Sequence, residues 1–154
     1  MACFLGEFET TIDAKHRLAI ASAFRETVVP AVDGEDWVLV LGPGKRLWLY
    51  PNAAYLKLMD VLKPSPFPDR QTDRESMMFA FARNLKSDTQ GRVVLPEKSM
   101  ERARLVEKEI TLVGKRDHIE IWPTSEWERH VEAAMSSYDE MVYEAGARYK
   151  AGGQ

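Results

Sequence analysis

The chain has little that would support redox, metal or membrane chemistry. Cys3 is its only cysteine among 154 residues, so no disulfide forms within one chain and a thiolate zinc site lacks ligands. Its three histidines are scattered without the spacing of a metal site. It has no run of about 18 apolar residues and no basic stretch followed by an apolar core at its start. We therefore expect a cytoplasmic protein with no metal, no cofactor and no membrane partner.

Catalytic signatures are missing as well. The 9 glycines form neither G-x-G-x-x-G nor a phosphate-binding loop, and Ser22 and Cys3 stand in no recognisable nucleophile context. We expect no catalytic residue and no small-molecule substrate, hence no enzyme. The formal net charge of −3 gives no general attraction to nucleic acid. Any binding to DNA must therefore come from a local basic surface.

What the chain does contain is an internal repeat. Asp13-Ala14-Lys15-His16-Arg17 returns 75 positions later as Asp88-Thr89-Gln90-Gly91-Arg92, and each is followed by an apolar run. Leu47 to Pro51 returns 72 positions later as Ile119 to Pro123, so the slip falls in the loops between the matched blocks. The pattern indicates a tandem duplication of a small β-rich unit. A unit of roughly 45 residues buries little surface alone, so we expect the two copies to share one core.

Periodicity and punctuation predict the same elements in both copies. The predicted strands are 18–20, 37–41 and 47–50 in the first copy, and 92–95, 110–113 and 118–122 in the second. Asn52 is the expected N-cap of a helix after Pro51. The three prolines of Lys63–Pro68 predict a stiff connector. A helix with Thr72 and Glu75 as capping box should then run through Leu85, and a C-terminal helix should fray from Gly146 onward.

The repeated Asp-x-x-x-Arg sequence admits two interpretations. In the structural one, the aspartate accepts hydrogen bonds from the backbone two residues on, Gly91 supplies a left-handed conformation and the arginine pairs with the acid. In the functional one, a guanidinium is a five-donor fork suited to phosphates and guanine edges, and the repeat displays it twice, at Arg17 and Arg92. Lys15 and Lys86 make both loops locally basic.

Several segments resemble the MraZ family over about residues 4–127. The resemblance rests on Phe4 to Phe8, Thr11 to Leu18, Phe24 to Glu26, Leu47 to Pro51, Asp88 to Pro96, Leu112 to Gly114, and Ile119 to Trp122. It implies two tandem AbrB-like units (7–53 and 82–125) interleaved into one double-split β-barrel, a mostly β fold with short helices (α+β). A proline-rich connector and helix (54–81) would join them, and a C-terminal helical segment with a frayed tail (126–154) would follow.

The resemblance also implies a function. The family is a DNA-binding transcriptional regulator that forms rings, so we expect a nucleoid-associated homo-oligomer that binds double-stranded promoter DNA at direct repeats. The expected action is repression of the bacterial division and cell-wall gene cluster. The alternative is an AbrB-related, antitoxin-like interaction protein that neutralises a partner through its C-terminal segment.

The expected site is the pair of loops. The expected DNA contacts are Lys15, His16, Arg17, Lys86, Gln90 and Arg92, and the expected structuring residues are Asp13, Asp88 and Gly91. This chain departs from the family's pattern at His16, where a glycine is usual, and at Ala21, where a proline is usual. We therefore expect the first loop to differ in shape from the second, or His16 itself to contact DNA.

Overall fold

The strands and helices are those of a computed structural model that describes residues 1–62, 66–67 and 69–153. The strands are β1 (Glu7–Thr11), β2 (Arg17–Ala19), β3 (Trp37–Leu41), β4 (Leu47–Pro51), β5 (Arg83–Leu85), β6 (Arg92–Val94), β7 (Glu109–Gly114) and β8 (Ile119–Pro123). The helices are α1 (Ser22–Arg25), α2 (Pro30–Asp33), α3 (Asn52–Met59), α4 (Arg70–Phe81), α5 (Glu97–Arg102), α6 (Thr124–Met135) and α7 (Tyr138–Gly152), with short 3-10 helices at Pro43–Lys45 and Asp60–Leu62. The α+β class is confirmed. None of the helices in the described ranges is both long and apolar enough to cross a membrane.

The chain divides into two compact units, Met1–Pro123 and Thr124–Gln154. The eight strands of the described ranges lie in the first unit, which contains both copies of the repeat, and α6 and α7 form the second. The residue ranges predicted for the four segments stay predictions. Most of the predicted connector, at 63–65 and 68, lies outside the described residues.

The larger sheet mixes strands of the two copies. Its order is β1-β7-β8-β4-β3-β5, and every neighbouring pair is antiparallel. The repeat makes β1 the equivalent of β5, and β3 and β4 the equivalents of β7 and β8. Each copy therefore lends its first strand to the hairpin of the other. At the centre of the sheet Trp48 lies opposite Glu120, its own equivalent in the second copy, so a local pseudo-twofold axis passes through this pair.

The smaller sheet is a ribbon of β2 and β6 on the same pseudo-twofold axis. Leu18 pairs with Val93, again its repeat equivalent, and both side chains are buried. They pack into one hydrophobic core with residues of both copies, including Leu39, Leu49 and Ile121. Burial of apolar side chains at this density is the main stabilising contribution to such a unit. Closure of the two sheets into a double-split barrel stays a prediction of the family resemblance.

Helix α4 differs from its sequence-based prediction at both ends. Its N-cap is Asp69, whose side chain accepts from the Thr72 N–H while the Thr72 hydroxyl accepts from the Asp69 N–H, so the capping box lies three residues before the predicted one. The helix ends at Phe81. Arg83 then donates to the carbonyls of Ala80, in the last turn of the helix, and of Ala82, its C-cap, and the chain continues as β5 rather than as helix.

Three further differences concern α3, β1 and α7. Asn52 is the first residue of α3 rather than its N-cap, and its side-chain carbonyl accepts from the Asp36 N–H. Strand β1 had no counterpart among the predicted strands. At the other end of the chain, α7 continues past Gly146 to Gly152, so fraying from Gly146 was wrong.

Candidate nucleic-acid interface

The first loop is a tight turn built around one carboxylate. Asp13 Oδ1 accepts from the backbone N–H groups of Lys15 and Arg17, at 2.9 Å each, while Oδ2 accepts from Arg17 Nε at 2.6 Å. The backbone closes the turn, since the His16 N–H donates to the Asp13 carbonyl and the Asp13 N–H donates to the Arg17 carbonyl. Asp13 therefore fixes both the path of the loop and the direction of the arginine side chain.

The second loop repeats this geometry. Asp88 Oδ1 accepts from the N–H groups of Gln90 and Arg92, at 2.8 and 2.9 Å, and Oδ2 accepts from Arg92 Nε at 2.7 Å. The Gly91 N–H donates to the Asp88 carbonyl, as His16 does in the first loop. The two aspartates therefore make equivalent contacts in the two copies.

The residue before each arginine adopts the left-handed conformation in both loops. His16 has φ 61° and Gly91 has φ 77°. A side chain in this region is strained because its Cβ crowds the following carbonyl, yet the first loop keeps the hydrogen bonds of the second. A different shape for the first loop was therefore wrong, and contact between His16 and DNA stays a prediction.

The β2–β6 ribbon holds the two loops together. The Ile20 N–H donates to the Gly91 carbonyl at 3.0 Å, and the Leu95 N–H donates to the His16 carbonyl at 2.8 Å. These are equivalent bonds about the pseudo-twofold axis, each tying the end of one copy's strand to the loop of the other copy. Arg17 lies opposite Val94, and Arg92 opposite Ala19. The loops therefore lie at opposite ends of the ribbon, and the two arginines are diagonal neighbours with Cα atoms about 7–8 Å apart.

Both arginines lie on the outward face of the ribbon. Alternation along a strand places Arg17, Ala19, Arg92 and Val94 on one face, opposite the buried Leu18–Val93 pair. The arginine side chains are 33% and 30% exposed. Each donates its Nε–H to an aspartate. The two terminal amino groups, with four of the five N–H donors, are then available to a ligand.

The aspartates are held in their charged form. The pKa of Asp13 is lowered from 3.8 to about 2, first by the backbone hydrogen bond from Arg17 and further by the Arg17 side chain and the Lys15 N–H. The pKa of Asp88 is lowered by the corresponding contacts with Arg92 and Gln90. Both ion pairs therefore persist well below neutral pH, and the loops keep their shape throughout the physiological range.

The remaining predicted contact residues flank the loops. Lys15, Lys86 and Gln90 are exposed, and Lys86 follows β5 directly at the entry to the second loop. One basic residue near the site was not predicted. Arg25, at the end of α1, lies over Gly91 and donates from Nε to the Ile20 carbonyl at 3.0 Å. Arg25 belongs to a segment that carries the family resemblance, but local spacing did not place it at the site, because Gly91, which it covers, is 66 positions away along the chain.

A second polar cluster lies away from the loops, at the turn between β7 and β8. His118 is buried between two acids: Nδ1 is 2.7 Å from Asp117 Oδ1, and Nε2 is 2.9 Å from Glu120 Oε2. The ring stacks on Trp48 with centroids 3.9 Å apart. Burial lowers the pKa of His118, but the hydrogen bonds to Glu120 and Asp117 outweigh burial and raise it above 6.5. Burial likewise raises the pKa of Glu120, but its hydrogen bonds to His118 and Trp122 outweigh burial and lower the pKa below its usual value.

No group of three or more His, Cys, Asp or Glu in the described ranges is placed to hold a metal ion.

The chain is similar to known proteins over most of its length. Residues 3–75 and 78–143 each match the family described as "MraZ protein, putative antitoxin-like". The chain is 37% identical over 141 residues to a protein of Pelotomaculum thermopropionicum, covering 90% of this chain and 92% of that protein. It is 34% identical over 141 residues to one from Desulforamulus reducens and 32% identical over 140 residues to one from Carboxydothermus hydrogenoformans, covering 90% of this chain and 94% of each relative. All three relatives carry the name "Transcriptional regulator MraZ".

Proposed function

Since the chain belongs to the MraZ family, we propose that it is a sequence-specific transcriptional regulator that binds double-stranded DNA through its two Asp-x-x-x-Arg loops. It acts in the cytoplasm, on the nucleoid, and uses no cofactor, small-molecule substrate or catalytic residue. The observation that carries the proposal is the β2–β6 ribbon, which presents Arg17 and Arg92 on one outward face about a pseudo-twofold axis.

The ribbon suits the major groove of DNA in size and symmetry. A two-stranded β-ribbon fits this groove, which is about 12 Å wide, and B-DNA itself has local twofold axes that a pseudo-symmetric reader can match. The four terminal amino groups of Arg17 and Arg92 supply donors for guanine O6 and N7 or for phosphates. Gln90 and His16, beside the arginines, supply further donors and acceptors for base edges. Lys15 and Lys86 contact phosphates and position the ribbon without reading sequence.

The ion pairs hold the arginine side chains in place before DNA binds. An arginine that is free in solution loses rotamer freedom when it binds, whereas Arg17 and Arg92 are already held by Asp13 and Asp88. Each bidentate contact to guanine is worth roughly 1–3 kcal/mol of discrimination between bases. Two such contacts are too few to select one promoter in a genome, so the protein binds as a multimer.

A ring of identical chains supplies the missing affinity. Loop pairs from neighbouring chains engage direct repeats spaced about one helical turn, 10 base pairs, and the second contact becomes intramolecular. Binding across a promoter then excludes polymerase, so the expected action is repression, with the bacterial division and cell-wall gene cluster as target.

The antitoxin-like alternative is favoured by the wording of the family description. An antitoxin of this type would neutralise a protein partner through a C-terminal segment. Because α7 continues to Gly152, that segment is a regular helix rather than an extended tail, which favours the regulator.

The proposal is tested by fluorescence anisotropy on labelled DNA from upstream of the chain's own operon, at several salt concentrations. Arg17→Ala and Arg92→Ala should each weaken binding about 10-fold or more. The slope of log affinity against log salt should fall by about 0.9 for each phosphate that the variant no longer neutralises. Arg74→Ala, on α4 and away from the ribbon, removes the same charge and is the matched control.

The outcomes separate cleanly. Weakening by both loop variants, with Arg74→Ala unchanged, supports DNA recognition by the ribbon. If both loop variants remain folded and bind like the wild type, the ribbon is not the DNA-binding surface and the proposal fails.

A further inference from the structure

The repeat gives the chain two helix pairs in equivalent places. Helix α3 follows β4 directly, as α6 follows β8, and each is followed in turn by a longer helix, α4 or α7. In neither pair is any helical residue buried. Both pairs therefore offer surfaces that the fold has left open.

The first pair forms an apolar groove. A cavity of about 590 Å³ lies between α3 and α4 and is lined by apolar side chains that include Leu56, Met59 and Phe79. Leu56 is 61% exposed. Two carboxylates, Asp60 and Glu75, lie among the lining residues. Among the described residues, the charged side chains that line this apolar groove are therefore two carboxylates and one cation, Lys57.

The second pair carries an apolar stripe of matching character. On α7 the helical spacing places Tyr138, Met141, Val142, Ala145 and Tyr149 within an arc of about 100°. All five are exposed, whereas the opposite side of the helix is mostly charged. We call these five residues the α7 stripe. Arg148 borders it, next to Met141 on the helical wheel.

We infer that the α7 stripe of one chain binds in the α3–α4 groove of a second copy of the same chain, head to tail. This inference rests on the multimer of the proposed function and names its contact surfaces. The occupant is a second copy because one chain carries both complementary parts: an apolar groove lined by two carboxylates and an apolar stripe bordered by Arg148. Arg148 then lies near Asp60 or Glu75 of the groove lining.

The stripe supplies part of the area of an ordinary interface. Each stripe residue leaves on the order of 100 Å² open, so the stripe offers about 500 Å², whereas an interface of ordinary size buries about 800 Å² on each partner. Since the centre of such an interface is about 65% apolar, the stripe supplies its centre and the charged residues its rim. The two surfaces differ, so the contact is heterologous. Repeated contacts of this kind close into rings when the rotation between copies permits.

The test uses the full chain and light scattering over a range of protein concentrations. Val142→Glu places a charge in the stripe, and Leu56→Glu places one in the groove. Each should raise the concentration needed for half-assembly by roughly 30-fold or more, as expected when a side chain at an interface centre can no longer be buried. Tyr143→Glu, the next residue on α7 but off the stripe, and Met77→Glu, on α4 but not lining the groove, are matched controls. Both controls should assemble like the wild type.

Mixing the two disruptive variants gives the decisive signature. The Leu56→Glu chain keeps an intact stripe and the Val142→Glu chain keeps an intact groove, so one heterologous contact can form between them. The mixture should contain a species of twice the monomer mass that neither variant forms alone. A contact between two stripes would not be restored by mixing, and absence of that species overturns the head-to-tail arrangement.

Failure of this inference is distinguishable from failure of the proposed function. A monomeric wild type, or disruptive variants that stay assembled, overturns the inference, while anisotropy on DNA with a single repeat still tests the ribbon. Dissociation of the disruptive variants in a protein that binds no DNA supports the inference and rejects the regulator. With both correct, Val142→Glu keeps its affinity for a single repeat and loses affinity for an array.

Discussion

Substitution of Gly91 by alanine tests how the second loop is built. Gly91 has φ 77°, and a Cβ placed there would lie 2.5 Å from Arg25 Nε. Arg25 must therefore move, and its 3.0 Å hydrogen bond to the Ile20 carbonyl is broken. The first loop differs at the equivalent position, because His16 already carries a Cβ in the left-handed conformation.

The size of the effect follows from three contributions. Left-handed strain costs about 1–2 kcal/mol, and the broken hydrogen bond costs about 1 kcal/mol. The smaller conformational freedom of alanine in the unfolded chain returns about 0.4–1 kcal/mol. Gly91→Ala should therefore lower the free energy of unfolding by about 1.5 kcal/mol. His16→Gly should have the opposite sign, stabilising the protein by about 0.5 kcal/mol, because relief of strain exceeds the added freedom of glycine.

Urea unfolding at one fixed protein concentration measures both variants, since assembly makes apparent stability depend on concentration. A double-mutant cycle isolates the part due to Arg25: in an Arg25→Ala background, Gly91→Ala should cost about 1 kcal/mol less. If Gly91→Ala unfolds at the wild-type midpoint, or if His16→Gly is destabilising, the reasoning about the left-handed position is refuted.

Three other results are expected. A fragment of residues 1–63 should show no sharp thermal transition by circular dichroism, because β1, β2 and β4 lose strand partners that belong to the second copy; a cooperative monomer would contradict the shared core. Because the pKa of Asp13 is depressed to about 2, its contribution to stability is complete above about pH 4 and is lost as the pH falls toward 2. The difference in stability between wild type and Asp13→Asn should therefore shrink over that range. A constant difference would count against the ion pair. Because the pKa of His118 is raised, its contribution to stability is complete below pH 6.5 and is lost as the pH rises through the folded pKa. An NMR titration should give a midpoint above 6.5, and this midpoint should fall in Glu120→Gln. An unchanged midpoint in that variant would exclude Glu120 as the partner.

Local patterns predicted the central hairpins well. Strand β3 has the predicted bounds, and β4, β7 and β8 differ from their predictions by one or two residues at their ends. These strands are buried and apolar, so their composition alone indicates a strand. By contrast, Glu7 to Thr11 is largely polar, and it becomes a strand because it pairs with β7. Leu85 lay on the helical stripe of α4, but pairing with Trp37 on β3 draws it into β5 instead.

The candidate site shows the same division between local and long-range information. Asp13, Arg17, Asp88 and Arg92 were identified from their spacing, because an Asx turn is decided within five residues. Their placement on one ribbon was not predictable from periodicity, since it depends on hydrogen bonds between residues about 75 positions apart. Arg25 was missed because its side chain packs over Gly91, which is 66 positions away along the chain.

Under the proposed function, the pseudo-twofold ribbon has a consequence for how DNA recognition can change over time. In a symmetric homodimer, one gene encodes both reading loops, so any change at a base contact occurs twice and the operator must change on both sides at once. Here the halves are covalently joined and encoded separately, so one loop can acquire a new residue while the other keeps its old one. His16, the repeat equivalent of Gly91, is already such a divergence, while the hydrogen bonds of the two loops are the same. The half-sites on DNA are then free to become unlike each other one base pair at a time.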